Sequence, residues 1–256
     1  MSAKEQQKVL VCGTPELRTG FPSTYCPGCH YGIIARVICE VLEEMDLAGK
    51  AIGFAGVGCS FGGGPLSIGI DWASCPHGRA PAMAGAAKRV HPDALVFTLQ
   101  GNGDLGAIGL GCFLSAVLRN ENLTTIFLNN AGYGQTGGQL APTTLMGMKT
   151  TTTQEGRTPA EGFPFHGAEL AAHMKSVAYS ARVSVHTPGN FKKAKKALAT
   201  AFQKQLDGAG YSFVVFLSAC PSVWGMTPVE SVEYIREQMT KEFELGEYKN
   251  VDSIYD

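Results

Sequence analysis

Residues 94–139 read ALVFTLQGNGDLGAIGLGCFLSAVLRNENLTTIFLNNAGYGQTGGQ, and this stretch decides the fold. The run 94–99 is short, apolar and rich in Val, Phe and Thr; 105–119 is of helix length; 123–128 is apolar and β-prone again. Strand, glycine turn, helix and strand make a βαβ unit, and a right-handed crossover of this size sets its two strands side by side and parallel. The loops after them, Gly101-Asn102-Gly103-Asp104 and Asn129-Asn130-Ala131-Gly132, then open at the same sheet edge. Two polar loops therefore converge on one ligand.

The first loop, continued to Gly106, matches the dinucleotide pattern G-x-G-x-x-G, but that fingerprint wants an acidic residue at the end of the second strand for a ribose. Here that strand ends in Asn129-Asn130. A different pattern accounts for both loops. G-N-G and N-N, with the 25 residues between Gly103 and Asn129, resemble the thiamine diphosphate signature of G-D-G and N-N at similar spacing. Magnesium wants about six oxygen ligands, and a diphosphate supplies only some of them, so the rest must come from the two loops. In the family with that signature, the middle residue of G-D-G, the second Asn and the backbone carbonyl two residues on hold the ion. The matching positions are Asn102, Asn130 and Gly132. Asn102 departs from the pattern's Asp: it keeps a carbonyl oxygen at the same reach and removes a negative charge. Asp104 is expected beside the ion without binding it directly.

With 256 residues, 45% of them hydrophobic and 17% charged, and a formal net charge of −1, the chain has enough material for one sizeable α/β domain. Nothing in that balance suggests a nucleic-acid or membrane partner. The longest apolar helix-like run, 105–118, has 14 residues, short of the roughly 20 a bilayer requires. Residues 1–8 carry no apolar signal-peptide core, so a cytoplasmic location is expected. Eight cysteines in that setting are read as reduced thiols, either metal ligands or small buried apolar residues.

Cys26-Pro27-Gly28-Cys29 places two thiols on a tight turn ahead of an amphipathic helix at 33–42. Cys59 follows the apolar strand 51–57, and Cys220 follows the β-rich run 211–217. These four sit in loops or at strand ends. Cys39 and Cys112 lie in apolar helices and Cys12 in a strand-like run, as filler; Cys75, in Ser74-Cys75-Pro76-His77-Gly78-Arg79, is a spare candidate. Four thiolates suit zinc or a [4Fe–4S] cluster, and spacing does not separate the two.

Taken in order, Cys26-Pro27-Gly28-Cys29, Gly58-Cys59, His77-Gly78-Arg79-Ala80, the two diphosphate loops, Tyr133-Gly134-Gln135-Thr136-Gly137-Gly138-Gln139 and Cys220-Pro221 resemble one family. It is the thiamine-diphosphate-binding (β) subunit of the 2-oxoacid:ferredoxin oxidoreductases, and the likeness runs from about residue 25 to about residue 228. The resemblance implies an α/β thiamine-diphosphate-binding fold, a mostly parallel sheet with helices on both faces. One domain would span 1–256, with terminal extensions at about 1–23 and 247–256. It implies that Cys26, Cys29, Cys59 and Cys220 bind a [4Fe–4S] cluster. It also implies that Mg²⁺ and thiamine diphosphate meet Cys59, Ser60, His77, Gly78, Arg79, Gly101, Asn102, Gly103, Asp104, Asn130, Gly132, Tyr133, Gly134 and Thr136. His77 and Arg79 are the candidate catalytic side chains.

The implied reaction is oxidative decarboxylation of a 2-oxo acid, with electrons leaving through the cluster and coenzyme A taking the acyl group. The chain has no room for a second domain to bind the pyrimidine ring. An α subunit should supply it, alongside a γ subunit and a ferredoxin or ferredoxin-like subunit. Motif wording is most like enzymes for 2-oxoisovalerate, with 2-oxoglutarate and pyruvate next; loops 60–70 and 131–148 contain no Lys or Arg, which favours a branched or apolar 2-oxo acid. Two rivals remain: a non-redox thiamine decarboxylase subunit, which would not need the cysteines, and a zinc-stapled binding module, which would not need the diphosphate loops.

Elsewhere, 141–164 reads as a long mobile surface loop, 167–174 as a short helix and 177–185 as a strand. Residues 188–206 form an amphipathic helix with a solvated face of Lys192, Lys193, Lys195, Lys196 and Lys204. A charged helix at 227–243 and a tail at 248–256 complete the chain.

Overall fold

The structure is a computed structural model that describes residues 13–255. Cys12 and the stretch 1–8 lie outside the described residues. Helix α1 (Tyr31–Glu44) buries Ile34, Val37, Ile38, Val41 and Leu42, the spacing of a one-sided helix. Then come β1 (Ala51–Ala55), α2 (Cys59–Ser67), β2 (Asp71–Ser74), α3 (Ala80–Val90), β3 (Leu95–Gly101), α4 (Asn102–Gly106), α5 (Leu110–Leu118) and β4 (Thr124–Asn129). The second half holds α6 (Gly167–His173), β5 (Val177–Ser184), α7 (Pro188–Leu206), β6 (Tyr211–Leu217), α8 (Pro221–Trp224), α9 (Pro228–Tyr234), α10 (Thr240–Glu242) and β7 (Gly246–Asn250).

All seven strands join one sheet in the order β2-β1-β3-β4-β6-β5-β7, parallel throughout except for the β5–β7 pair. Strands β4, β5 and β6 are buried along their whole length, because a parallel sheet is covered on both faces and selects continuous apolar runs. One core joins α1 and α7 to the sheet through Ile38, Phe97, Leu198, Phe202 and Phe216. The other packs α3, α5 and α6 on the opposite face around Ala84, Phe113, Phe127, Phe213 and Ala171. Gln205 of α7 is fully buried and clips β3 to β4: it exchanges both backbone bonds with Val96 and donates to Thr124 Oγ1.

Several readings of the sequence need correction. The helix expected over 105–119 is two pieces, α4 and α5, because Ala107 leaves helical geometry at φ −116°, ψ −95° between two glycines. The tail contains β7, which covers the β5 edge, and Ile254 is buried beside Ala178 and Ala209. The helix at 227–243 is continuous but passes through a π-turn at Ile235–Met239. In the basic face of α7, Lys195 is not merely solvated: it bridges Glu40 and Glu44 of α1.

The loop 141–164 is tied down. Arg157, 5% exposed, donates to the carbonyl oxygens of Ala141, Pro142, Thr144, Glu161, Gly162 and Phe163, while Thr143 and Thr144 are fully buried. One guanidinium thus satisfies backbone acceptors that neither helix nor strand serves.

Candidate active site

Four neighbouring strands each deliver a candidate residue at their carboxyl ends: Cys59 after β1, Asn102 after β3, Asn130 after β4 and Cys220 after β6. The chain moves outward from β1 to β2 and then returns to β3, so the strand order reverses between β1 and β3. Such a switch point opens a crevice at the carboxyl edge of a parallel sheet. A cleft of about 360 Å³ lies there. Of the expected cofactor residues, Cys59, His77, Gly101, Asn102, Gly103, Asp104, Asn130, Gly132, Tyr133, Gly134 and Thr136 line it. Ser60, Gly78 and Arg79 do not. Ser60 is fully buried with an unpartnered hydroxyl, and the Arg79 guanidinium donates to the Gly78 and Ile108 carbonyls. Tyr31, Val57, Ala107, Ile108 and Gln135 also line the cleft and were not singled out in the sequence. Of these, Gln135 falls inside the quoted Tyr133–Gln139 motif and Val57 at the end of the expected strand 51–57.

Asp104 ties the loops of three strands together. Its Oδ1 accepts the backbone N–H of Val57 at 3.1 Å, that of Gly78 at 2.7 Å and the His77 Nδ1 at 2.6 Å. Its Oδ2 accepts from Gln100 Nε2 at 2.7 Å. Room for this carboxylate depends on Gly56, where an added Cβ would lie 2.1 Å from Oδ2. Four protein donors thus share the Asp104 carboxylate, and the His77 imidazole is one of them. With Nδ1 turned to Asp104, the other ring nitrogen, Nε2, is left to the cleft on a side chain 42% exposed.

The oxygens expected to hold magnesium converge. Asn102 Nδ2 donates to Asn130 Oδ1 at 2.7 Å and to the Gly132 carbonyl at 3.2 Å, while its own buried Oδ1 has no partner. Rotating the Asn102 amide by half a turn exchanges oxygen for nitrogen without moving the backbone, because the two ends are nearly isosteric. Three neutral oxygens then face one point, a donor set suited to a hard divalent cation carrying its own anionic ligand. These residues fit a magnesium–diphosphate group.

A second cavity of about 160 Å³ is lined by Cys26, Cys29, Cys59 and Cys220. Cys75 does not line it; that thiol is buried and faces the Ala73 carbonyl. Burial pushes the Cys29 thiol up to about 12 and the Cys220 thiol up to about 11, and it raises Cys59 as well. Among the described residues no three His, Cys, Asp or Glu side chains are close enough to hold one ion. A zinc site needs four donors within about 2.3 Å of a point, whereas a cluster spreads its ligands around a larger body. The four thiols fit the cluster. The two cavities share Tyr31, Cys59, Asn130, Gly134 and Gln135 as a common wall.

A parallel α/β sheet whose switch-point cleft gathers the G-N-G and N-N loops defines a thiamine-diphosphate-binding domain. Comparison with known proteins agrees. The family described as "Thiamine pyrophosphate enzyme, C-terminal TPP binding domain" matches residues 57–216. The ketoisovalerate oxidoreductase subunit VorA of Methanothermobacter thermautotrophicus is 36% identical over 233 residues, 88% of this chain and 47% of that protein. The 2-oxoglutarate synthase subunit KorB of Archaeoglobus fulgidus is 32% identical over 222 residues, covering 86% of this chain and 78% of that one. A solved structure, the 2-oxoglutarate:ferredoxin oxidoreductase from Magnetococcus marinus, shares the fold with a TM-score of 0.74 at 23% identity, over 95% of this chain and 87% of that one. The chain belongs to the thiamine-diphosphate-binding subunits of the 2-oxoacid:ferredoxin oxidoreductases. It spans about half the length of the ketoisovalerate relatives it matches. No helix among the described residues is long and apolar enough to cross a membrane.

Proposed function

We propose that this chain is the catalytic subunit of a cytoplasmic 2-oxoacid:ferredoxin oxidoreductase, binding magnesium thiamine diphosphate in the switch-point cleft and a [4Fe–4S] cluster in the cysteine-lined cavity. The observation that carries this reading is the wall the two cavities share, Tyr31, Cys59, Asn130, Gly134 and Gln135, which is all that lies between an electron source in one and a cluster in the other. The net reaction converts a 2-oxo acid and coenzyme A to an acyl-CoA and carbon dioxide, releasing two electrons and one proton. Thiamine diphosphate, when bound, supplies the nucleophilic carbon and the electron sink for the decarboxylation. Asn102, Asn130 and the Gly132 carbonyl hold the metal–diphosphate end, and His77, steadied by Asp104, offers Nε2 to a proton in the cleft.

Substrate choice follows from the cleft wall, which has no Lys or Arg and presents Val57 and Ile108, 46% and 53% exposed. A distal carboxylate there would lack a cation, at a cost of several kcal/mol, whereas a branched apolar chain gains contact. The favoured substrate is 2-oxoisovalerate, ahead of 2-oxoglutarate and pyruvate. A pyrimidine-binding α subunit completes the cofactor site, with a γ subunit and a ferredoxin or ferredoxin-like subunit as further partners.

Anaerobic purification with iron and sulfide analysis tests the assignment. The expected protein is brown, bleaches with dithionite, and reduces a one-electron dye only when a 2-oxo acid and coenzyme A are both present. A colourless zinc protein would overturn it in favour of the binding module, and dye-independent decarboxylation would favour the non-redox rival. A higher kcat/KM for 2-oxoglutarate than for 2-oxoisovalerate would overturn the substrate choice alone.

A further inference from the structure

Asn130 stands in the wall between the cavities, and the two ends of its amide face different ones. Its Oδ1 accepts from Asn102 Nδ2 at 2.7 Å, within the oxygen set that fits magnesium. Its amide nitrogen is on the cysteine side, beside the Cys59 and Cys220 sulfurs. That side is crowded around a single glycine. A Cβ at Gly134 would lie 3.3 Å from Cys59 Sγ, 3.6 Å from Asn130 Nδ2 and 3.6 Å from Cys220 Sγ, so the amide nitrogen and the two sulfurs gather around one point. Asn130 is 3% exposed, and its carbonyl accepts from Trp224 Nε1 at 3.1 Å, so the residue is held in place and water does not compete for either end.

We propose that Asn130 couples occupancy of the magnesium–diphosphate site to the reduction potential of the cluster. This rests on the cofactor assignment above and deepens it. An amide is conjugated, so a cation drawing electron density from Oδ1 makes the N–H a stronger donor. Stronger donation to a ligating sulfur stabilises the more negative, reduced cluster and raises its potential. The coupling is reciprocal: reducing the cluster tightens the magnesium–diphosphate complex by the same factor. Asn130 is in this sense a positioning residue between two cofactors, and it favours electron entry into the cluster only when the cofactor that supplies electrons is seated.

The test is a redox titration of the cluster, followed by electron paramagnetic resonance, on the anaerobically isolated complex containing this chain. Magnesium thiamine diphosphate is absent in one arm and saturating in the other. The wild type should shift upward on cofactor addition by the equivalent of about tenfold in affinity, which for a one-electron couple is about 59 mV. Asn130→Asp keeps the oxygen and removes the N–H; its cluster should sit at a lower potential that no longer responds. A second readout needs no variant: with asparagine labelled by nitrogen-15, nuclear coupling of the amide to the reduced cluster should strengthen when the cofactor binds. A cluster whose potential and nitrogen coupling both ignore the cofactor overturns the proposal, as does Asn130→Asp with the full response. Complete absence of a cluster would instead fail the cofactor assignment on which the proposal stands.

Discussion

The Asp104 carboxylate oxygen is hydrogen-bonded to His77 Nδ1 at 2.6 Å while also accepting the backbone N–H groups of Val57 and Gly78, so one nearly solvent-free side chain fixes the loops after β1, β2 and β3. Replacing it by Asn weakens three donations at once and removes the charge that orients the imidazole. Asp104→Asn should destabilise the protein by about 1–3 kcal/mol and weaken thiamine diphosphate binding through the misplaced loops. Denaturant midpoints and cofactor titration check this; an unchanged midpoint would show that Gln100 and solvent make good the lost acceptor.

Asn102 calls for the opposite experiment. In the metal-free protein, Asn102→Asp places a buried carboxylate against Asn130 Oδ1 and the Gly132 carbonyl, acceptor against acceptor, where the amide now donates to both. The variant should melt below the wild type without metal and be rescued by Mg²⁺ alone, whereas the wild type, with only neutral oxygens to offer, should need the diphosphate as well. Asn102→Leu should bind neither. Equal stabilisation of wild type and Asn102→Asp by Mg²⁺ alone would show that charge at this position does not govern the metal.

Much of this arrangement was legible in the chain because the carrying residues are local to strand ends. A strand followed by Gly101-Asn102-Gly103-Asp104, and another by Asn129-Asn130, places both loops at one edge as soon as the sheet is parallel. Cys59 and Cys220 were legible for the same reason. The role of Asp104 was not, since its partners Val57, His77 and Gly78 come from loops far away in sequence, and nothing local announces a four-donor carboxylate. Strand β2 escaped because its four residues, Asp71–Ser74, form a short exposed edge without an apolar run. Strand β7 escaped likewise: Gly246–Asn250 is polar and is a strand only because β5 offers it an edge.

Arg157 shows the same limit and supports a separate test. Its guanidinium serves six carbonyl oxygens across residues 141–163, so the loop's conformation depends on one side chain. Arg157→Ala strands those acceptors, and stability should fall by roughly 2–4 kcal/mol. Limited proteolysis should then cut within 141–163 in the variant and spare it in the wild type. Equal resistance of the two proteins would mean that the buried Thr143 and Thr144 hold the loop without help.

The cysteine cavity makes a prediction about alkaline pH. In cluster-free protein, burial pushes Cys29 from the ordinary value of 9.0 up to about 12, and Cys220 from 9.0 up to about 11. In the unfolded chain both thiols ionise near the ordinary value. Above pH 9 the folded state therefore holds more protons than the unfolded state, and stability falls as pH rises through the window from about 9 to about 12, with Cys220 contributing up to about 11. Buried tyrosines such as Tyr25, also raised by burial, tilt the curve the same way, so the informative comparison is with a Cys29→Ser/Cys220→Ser protein, which keeps the tyrosines. Cluster-free wild type should lose melting temperature between pH 9 and 11 more steeply than that variant. Cluster-loaded wild type, its sulfurs already deprotonated by iron, should lack the extra slope. Parallel curves for all three proteins would show that the thiols are not protonated in the folded, cluster-free state.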